Sequence, residues 1–377
     1  MCDVSAPLPL AVLGGGLIGA RHALAAHDCA VTRLTAVVEP DADRRAALYA
    51  QGYPVVEQIA EVPADTRAAI VATPTQAHHT HTYECLSRGW AVIVEKPIAA
   101  TLDAARAILD MGGNKGQSTT GSAPVFVGHH RRCHPFVASA QAQIRALGDP
   151  VAVQALWALR KDTPYFNADW RRAPGGGPIM INLIHEIDLL QVWLGPIAEV
   201  SALVSSARRG HAVEDTAAFA LRFDSGAMGS VILSDAGASP WSFEAATGEN
   251  PNIATSGADY LRVVCTKGAM ALPSGQVWRG AQTAAPTWHD PLQMTPGTPA
   301  LCPDPLIEQI TRLARHMDTG AETGLCTGAQ GLSALEMTLA CAYAGQTGHP
   351  VARGGVPGTY AGGAIPPPKV AQSHISA

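Results

Sequence analysis

A chain of 377 residues, 47% hydrophobic and 15% charged, is long for one core and describes a well-buried soluble protein of two domains. Its formal charge of −5 gives no electrostatic reason to expect nucleic acid or a membrane surface as partner. No apolar run approaches the roughly eighteen residues of a spanning helix, the N-terminal MCDVSAPLP is too short and polar for a signal peptide, and eight cysteines without C-x-x-C spacing read as reduced thiols, so a cytoplasmic protein is expected.

Through residue 128 strand and helix patterns alternate. Short apolar runs predict strands at Leu8–Leu13, Leu34–Val38, Ala68–Ala72, Ala91–Val94 and Pro124–Gly128. Between them, helices are expected at Gly19–His27, Asp41–Gln51, Gln76–Arg88 and Leu102–Met111, and Gly112–Ser122 reads as a surface loop. That rhythm predicts an α/β domain over 1–128, a doubly wound parallel sheet of Rossmann type. From 129 to 352 the pattern changes to an α+β domain with a large, mostly antiparallel open sheet. A helix (Pro135–Leu147) and a long strand (Val151–Leu159) lead to a loop with Trp170, Arg171 and Arg172, then a helix from Pro178 to Leu194. Strands follow at Glu199–Ala207, Thr216–Phe223 and Ala227–Leu233, the last two joined by an Asp224-Ser225-Gly226 hairpin, and helices at Asp304–Met317 and Ala329–Gly345. The glycine- and proline-rich stretch 353–377 reads as a mostly disordered tail.

The first strand runs into Gly14-Gly15-Gly16-Leu17-Ile18-Gly19, a G-x-G-x-x-G frame between strand and helix. Gly14 permits the tight turn, Gly16 admits a pyrophosphate, and Gly19 lets the helix pack on the strand, while the backbone around Leu17 and Ile18 presents the helix N-terminus to the phosphates. The second strand ends in Glu39, where a carboxylate would hold the adenosine ribose hydroxyls and repel a 2′-phosphate. NAD is therefore the expected cofactor, with NADP admitted by Arg44 and Arg45 a helical turn on. Two further segments end parallel strands, where ligands of open α/β sheets bind: Thr73-Pro74 with His78, and Glu95-Lys96-Pro97. Lys96 could place its ammonium beside the nicotinamide ribose and a substrate hydroxyl. A triple glycine, Gly175–Gly177, precedes a helix carrying Asn182, His185 and Asp188 three apart on one face, and His185 suits general acid–base work near neutral pH. The run His129-His130-Arg131-Arg132-Cys133-His134 reads by default as a solvated basic face, yet Arg131, Arg171 and their cationic neighbours could bind a carboxylate. His78, His79 and His81, like His129, His130 and His134, lack the frame of a zinc site, and no metal is expected.

Together these elements resemble the glucose–fructose oxidoreductase and inositol dehydrogenase family, Gfo/Idh/MocA, over nearly the whole chain. The resemblance includes the glycine turn, T-P-x-x-x-H, E-K-P, W-R before the triple glycine, the helical histidine, Val213-Glu214-Asp215-Thr216 and Gly345-Gln346-Thr347-Gly348. It implies a dehydrogenase acting on a secondary alcohol of a sugar, cyclitol, sugar acid or related polyol. Lys96 and His185 would be the catalytic pair: His185 takes the hydroxyl proton and Lys96 stabilises the developing alkoxide. Trp170, Arg171, Arg131 and Asn182 would meet the substrate. It also implies that the second sheet packs face to face in a homodimer or homotetramer. One departure stands out: many members carry an aspartate four residues before the histidine, where this chain has Ile181, with Asn182 one place later. Two other functions use the same fold, an NAD-dependent glycoside hydrolase and a non-catalytic NAD-binding sensor; retention of both Lys96 and His185 argues against the sensor.

Overall fold

The computed structural model describes residues 5–112, 123–281, 283, 285–297 and 304–365; the loop expected at Gly112–Ser122 lies almost wholly outside these. The chain forms two compact units, each discontinuous in sequence. One comprises residues through Ser139, Ala300–Leu335 and Pro357–Thr359, the other Ala140–Pro299, Glu336–Val356 and the residues from Tyr360 on. The expected division at 128/129 had placed everything up to 352 in the second domain.

In the first unit the elements are β1 (Leu8–Leu13), α1 (Leu17–Asp28), β2 (Thr32–Val38), α2 (Ala42–Ala50), β3 (Val55–Val56), β4 (Ala68–Val71), α3 (His78–Ser87), β5 (Ala91–Val94), α4 (Leu102–Met111) and β6 (Val125–Val127). The sheet order is β6-β5-β4-β1-β2-β3, all parallel, with Cys326–Thr327 added antiparallel beyond β6. This is the doubly wound order, and strand order reverses between β1 and β4. The glycine turn and Thr73 follow the carboxyl ends of those two strands, the place where such sheets bind ligands. Leu10, Val12, Ile70 and Ile93 are fully buried, as expected for strands covered on both faces, and this is why they read as continuous apolar runs. The helix Pro305–Thr319 belongs to this core: Leu306, Ile310 and Leu313 join Leu8, Leu10, Ala23 and Ala26. Its periodicity was legible, but the partner of its apolar face lies nearly three hundred residues away in sequence, which no local pattern reveals.

The second unit follows α5 (Pro135–Ala146) in the chain. It holds β7 (Pro150–Ala158), α6 (Ile184–Leu194), β8 (Ile197–Ser205), β9 (Thr216–Phe223), β10 (Met228–Ser234), α7 (Phe243–Thr247), β11 (Leu261–Cys265), β12 (Gly268–Leu272), β13 (Val277–Gly280) and β14 (Leu292–Thr295). Their order is β14-β13-β12-β11-β7-β10-β9-β8, with Val351–Ala352 beyond β8. Within this sheet only the β7–β10 pair is parallel among the described strands. Alternation sorts the faces: Val153, Phe219, Leu221, Val231 and Leu233 point inward, whereas Leu203, Met228, Ile232 and Val264 are exposed. β11 to β14 lie beyond the strands the sequence reading assigned; they are short and separated by glycine, proline and polar residues.

The tail differs from expectation. Arg353 donates its backbone N–H to Ala198 O at 2.8 Å and pairs with Asp224 at 3.0 Å, Tyr360 donates to Gln346 at 3.0 Å, and Ile365 N–H bonds Ala212 O at 3.0 Å. Residues 353–365 are thus held by their backbone and by single polar contacts, neither of which needs apolar periodicity. Residues 366–377 lie outside the described set.

Candidate functional site

The glycine turn separates what the chain demands from what it leaves open. Gly14 has φ +97°, and a Cβ there would come within 2.7 Å of Ala72 O; a Cβ on Gly19 would come within 1.9 Å of Gly14 O. Gly14 and Gly19 are therefore required by the close approach of β4 and of the turn itself. A Cβ on Gly16 would meet nothing within 4 Å, so glycine there keeps open the space before α1. The helix makes its first intrahelical bond from Ala20 N–H to Gly16 O, has no side-chain cap and carries no acidic residue in its first turn. By contrast, Asp41 caps α2 and Thr101 caps α4. The N–H groups of Leu17, Ile18 and Gly19 remain available with the positive end of the helix dipole, a donor set suited to a pyrophosphate.

Glu39 is buried beside this turn. Its Oε2 accepts from Gly15 N–H at 2.8 Å, and its Oε1 accepts from Asp41 N–H at 2.9 Å and from Arg44 at 3.2 Å. Arg45 is engaged elsewhere, donating to the carbonyls of Glu39 (2.8 Å) and Pro40 (2.9 Å) and to Glu57 (3.1 Å). A 2′-phosphate would have to draw Arg44 off Glu39 and then face that carboxylate, so the geometry favours an unphosphorylated ribose.

Beyond β4, Thr73 Oγ1 contacts His81 Nδ1 at 3.0 Å. The His78 ring contacts Thr73 O and Pro97 O, each at 2.9 Å, so it joins the Thr73-Pro74 loop to the loop after β5. Burial draws its pKa below the usual histidine range, against those carbonyls, which favour the protonated ring. Beyond β5, the Lys96 N–H donates to Glu95 Oε2 at 3.0 Å, while Glu95 Oε1 meets His22 Nε2 of α1 at 2.7 Å. Burial alone would raise the Glu95 pKa. The hydrogen bond and charge of His22, aided by His130 and Lys96, outweigh it and hold the carboxyl at about 2. Both oxygens of Glu95 are thus committed, one to the glycine-turn helix and one to the lysine's own backbone.

The run 129–134 corrects the default expectation of a solvated face: all six residues are buried. Arg131 and its neighbours form a single turn after β6 that packs against the helix Pro305–Thr319, and Arg132 donates to Gln330 at 2.6 Å. Packing against that helix and the Gln330 contact help remove them from solvent.

In the second unit the helix expected from Pro178 is a π turn, Ile179–Leu183, followed by α6. Such turns recur at functional sites, and this one carries Asn182 one turn before the buried His185. The segment is tied at both ends. Glu214 accepts from Ile179 N–H at 2.8 Å, Tyr260 donates to Glu186 at 3.0 Å, and Gln141 donates to Val192 O at 3.0 Å. Burial, with Asp235 and Asp215 nearby, raises the Glu214 pKa to about 7 despite its hydrogen bond from Ile179. Lys161 Nζ donates to Asn182 Oδ1 at 2.7 Å and lies 4.5 Å from the Tyr165 ring centre. The Arg171 guanidinium sits 4.0 Å from the same ring and donates to Tyr165 O at 2.5 Å, with half-exposed Trp170 beside it. The sequence reading named Asn182, His185, Trp170 and Arg171 but assigned no functional role to Tyr165, His22 or Asp235. The one available signal for His22 was a histidine three residues after Gly19 and just before the apolar run Ala23–Ala26.

The fold and this turn define a dinucleotide-binding oxidoreductase scaffold. The description "Oxidoreductase family, NAD-binding Rossmann fold" fits residues 8–120, and the GFO/IDH/MocA C-terminal domain fits residues 138–271. The chain belongs to the Gfo/Idh/MocA family, and its first unit is the family's NAD-binding domain. Among curated relatives, the rhizopine catabolism protein MocA of Rhizobium meliloti is 27% identical over 49% of this chain and 56% of its own. The inositol 2-dehydrogenase of Cereibacter sphaeroides is 30% identical over 52% of this chain and 57% of its own, so the chain spans little more than half the length of these relatives. Among solved structures, an oxidoreductase from Agrobacterium radiobacter in complex with NAD+, L-tartaric acid and magnesium shares the fold (TM-score 0.73, 19% identity, 93% of this chain and 99% of that one). The WlbA dehydrogenase of Bordetella pertussis, in complex with NADH and UDP-GlcNAcA, also shares it (TM-score 0.70, 19% identity, 94% and 99%). No helix among the described residues is long and apolar enough to cross a membrane.

Two predictions follow from this geometry. Glu39→Ser removes a carboxylate able to accept from ribose hydroxyls and to repel a 2′-phosphate, contributions of about 1–3 kcal/mol each; NAD affinity is expected to fall and the NAD/NADP preference to narrow, read by titrating both reduced cofactors. An unchanged ratio removes Glu39 from cofactor choice. For Glu214, the folded pKa of about 7 lies above the ordinary 4.5, so the folded chain keeps a proton that the unfolded chain has released. The group therefore costs stability increasingly as pH rises through that window. Glu214→Gln lacks this cost, so urea denaturation shows the variant gaining on the native protein between acid and neutral pH, by on the order of 3 kcal/mol. A difference independent of pH contradicts the assignment.

Proposed function

We propose that this protein transfers a hydride between a nicotinamide cofactor, NAD in preference to NADP, and a secondary alcohol of a sugar, cyclitol, sugar acid or related polyol. The observation that carries the reading is the Lys96 segment, anchored through Glu95 to the glycine-turn helix and placed at the carboxyl end of β5. That anchoring fixes an ammonium-bearing residue on the same sheet edge as the donor set for a dinucleotide. The family's inositol 2-dehydrogenases, and the 1,5-anhydro-D-fructose reductase of Ensifer adhaerens (30% identical over 46% of this chain and 51% of its own), support a polyol or sugar substrate.

Held at the glycine turn and Glu39, a bound NAD would supply the acceptor for the hydride that leaves the carbinol carbon. The chain's part is proton handling and positioning. His185 accepts the hydroxyl proton, which makes hydride departure from the carbinol favourable, and in the reverse direction it returns that proton. Lys96 donates a hydrogen bond to the same oxygen and stabilises its developing negative charge. His78 fixes the loops on which Thr73, Pro74 and Lys96 stand. Arg171, stacked on Tyr165, offers a guanidinium to a carboxylate, with Trp170 and Asn182 as further substrate contacts; a like role for Arg131 would need a substrate group to reach a buried side chain.

General acid–base assistance contributes about 10²–10⁴ in rate, so His185→Ala lowers kcat by that factor while NAD affinity, read by cofactor fluorescence, changes little. Lys96→Ala also lowers kcat, and the double variant loses less than the product of the single losses because both groups act on one oxygen. Near-normal turnover in folded His185→Ala protein would exclude this mechanism.

We also infer that the open face of the second sheet joins copies of the chain into a dimer or tetramer. Leu203, Met228, Ile232 and Val264 are apolar and exposed on it, which is unusual in a monomer. Light scattering at micromolar concentration gives the mass of a dimer or larger, and Met228→Glu with Ile232→Glu shifts it toward monomer. A native monomer contradicts the inference.

A further inference from the structure

The Lys161–Asn182 contact, at 2.7 Å, settles which way the asparagine amide faces. An ammonium group has only hydrogens to give, so the atom it meets must be the amide oxygen. The NH₂ of Asn182 is thereby turned away from Lys161 as a donor. Lys161 is itself held in place: its side chain is only 10% exposed, its Nζ lies 3.4 Å from Tyr165 Oη, and the Tyr165 and Trp157 ring centres are 4.5 and 6.0 Å away. Asp235 is 4.0 Å from Lys161 Nζ and already accepts from Arg209 Nε at 2.8 Å. Arg171 adds a second cation against the Tyr165 ring. The residue before Asn182 is Ile181, so the segment that leads to His185 supplies no acid of its own at that place.

We propose that Lys161 and Asn182 form a donor-only pair that selects substrates bearing a carboxylate near the reacting carbinol. Asn182 stands one turn before His185, so a group bonded to its NH₂ lies close to the carbon whose hydroxyl His185 serves; in this respect the inference rests on the function proposed above. A carboxylate has only lone pairs to offer and gains charge-assisted bonds, roughly twice as strong as neutral ones. A hydroxymethyl group bonded to the Asn182 NH₂ gains only a neutral bond there. Asn182→Asp is the discriminating change. It is nearly isosteric and keeps the Lys161 contact, but it replaces two donors by an acceptor that repels a carboxylate.

The test is calorimetric titration of the NADH-loaded protein with matched pairs that differ only in the terminal group, gluconate against glucitol and L-tartrate against L-threitol. The native protein is expected to bind the acid of at least one pair tenfold or more tighter than its alcohol. Asn182→Asp is expected to abolish or reverse that preference, and Lys161→Gln to reduce it. Equal binding of acid and alcohol by the native protein, or a preference that survives in folded Asn182→Asp, overturns the proposal. Acid preference that is lost in Asn182→Asp, in a protein that reduces no NAD with any polyol or hydroxy acid, upholds the pair and instead defeats the proposed hydride transfer.

Discussion

The contact between His22 and Glu95 is the constraint on which the first unit's chemistry depends. Glu95 is a buried carboxylate, and an unpaired one would cost several kcal/mol to keep charged. His22 on α1 meets one oxygen and the Lys96 backbone meets the other, so the charge is compensated only when the glycine-turn helix and the end of β5 are correctly placed. The start of the glycine-turn helix and the lysine segment are thus locked to each other by a single side chain. Removing one member of such a buried pair generally costs about 3–5 kcal/mol, and here the loss would fall on the geometry of Lys96 first.

The second unit uses a related device on the helix that bears His185. Glu214, Tyr260 and Gln141 each bind across from a separate element to the π turn and α6, so the segment bearing Asn182 and His185 is tied at its start, its middle and its end. Buried acids do this work at a cost that Glu214 reveals, since burial has driven its pKa to about 7. Rigid support of this kind matters more for a proton-transfer residue than for a packing residue, because a displacement of about an ångström can cost a hundredfold in rate.

The parts of this arrangement that were legible in the sequence are those with a short period or a local motif. β1, β4 and β5 could be read because parallel strands buried on both faces are apolar stretches, whereas β3 is two residues long and shows none. The glycine turn could be read because its spacing is set by one helix start. The His22–Glu95 pair, 73 residues apart, has no local signature. The buried run from His129 to His134 looked solvated because its cover comes from a helix near residue 310, and the π turn at Ile179–Leu183 has the composition of an ordinary helix. The segment 353–365 was misjudged because glycine and proline hide a backbone that bonds to β8 and to Ala212. In each case the missing information was a partner distant in sequence.

The account's central claim is net hydride transfer from a carbinol to NAD, and the most direct measurement is its stoichiometry. The protein is incubated with NAD and each member of a panel of polyols, sugars and hydroxy acids, and reduced cofactor is followed by absorbance while the carbonyl product is quantified. The account predicts, for at least one compound, accumulation of reduced cofactor equal to the carbonyl formed. Turnover that releases a glycosidic substituent while the cofactor shows no net reduction, with no compound in the panel yielding reduced cofactor, would contradict it.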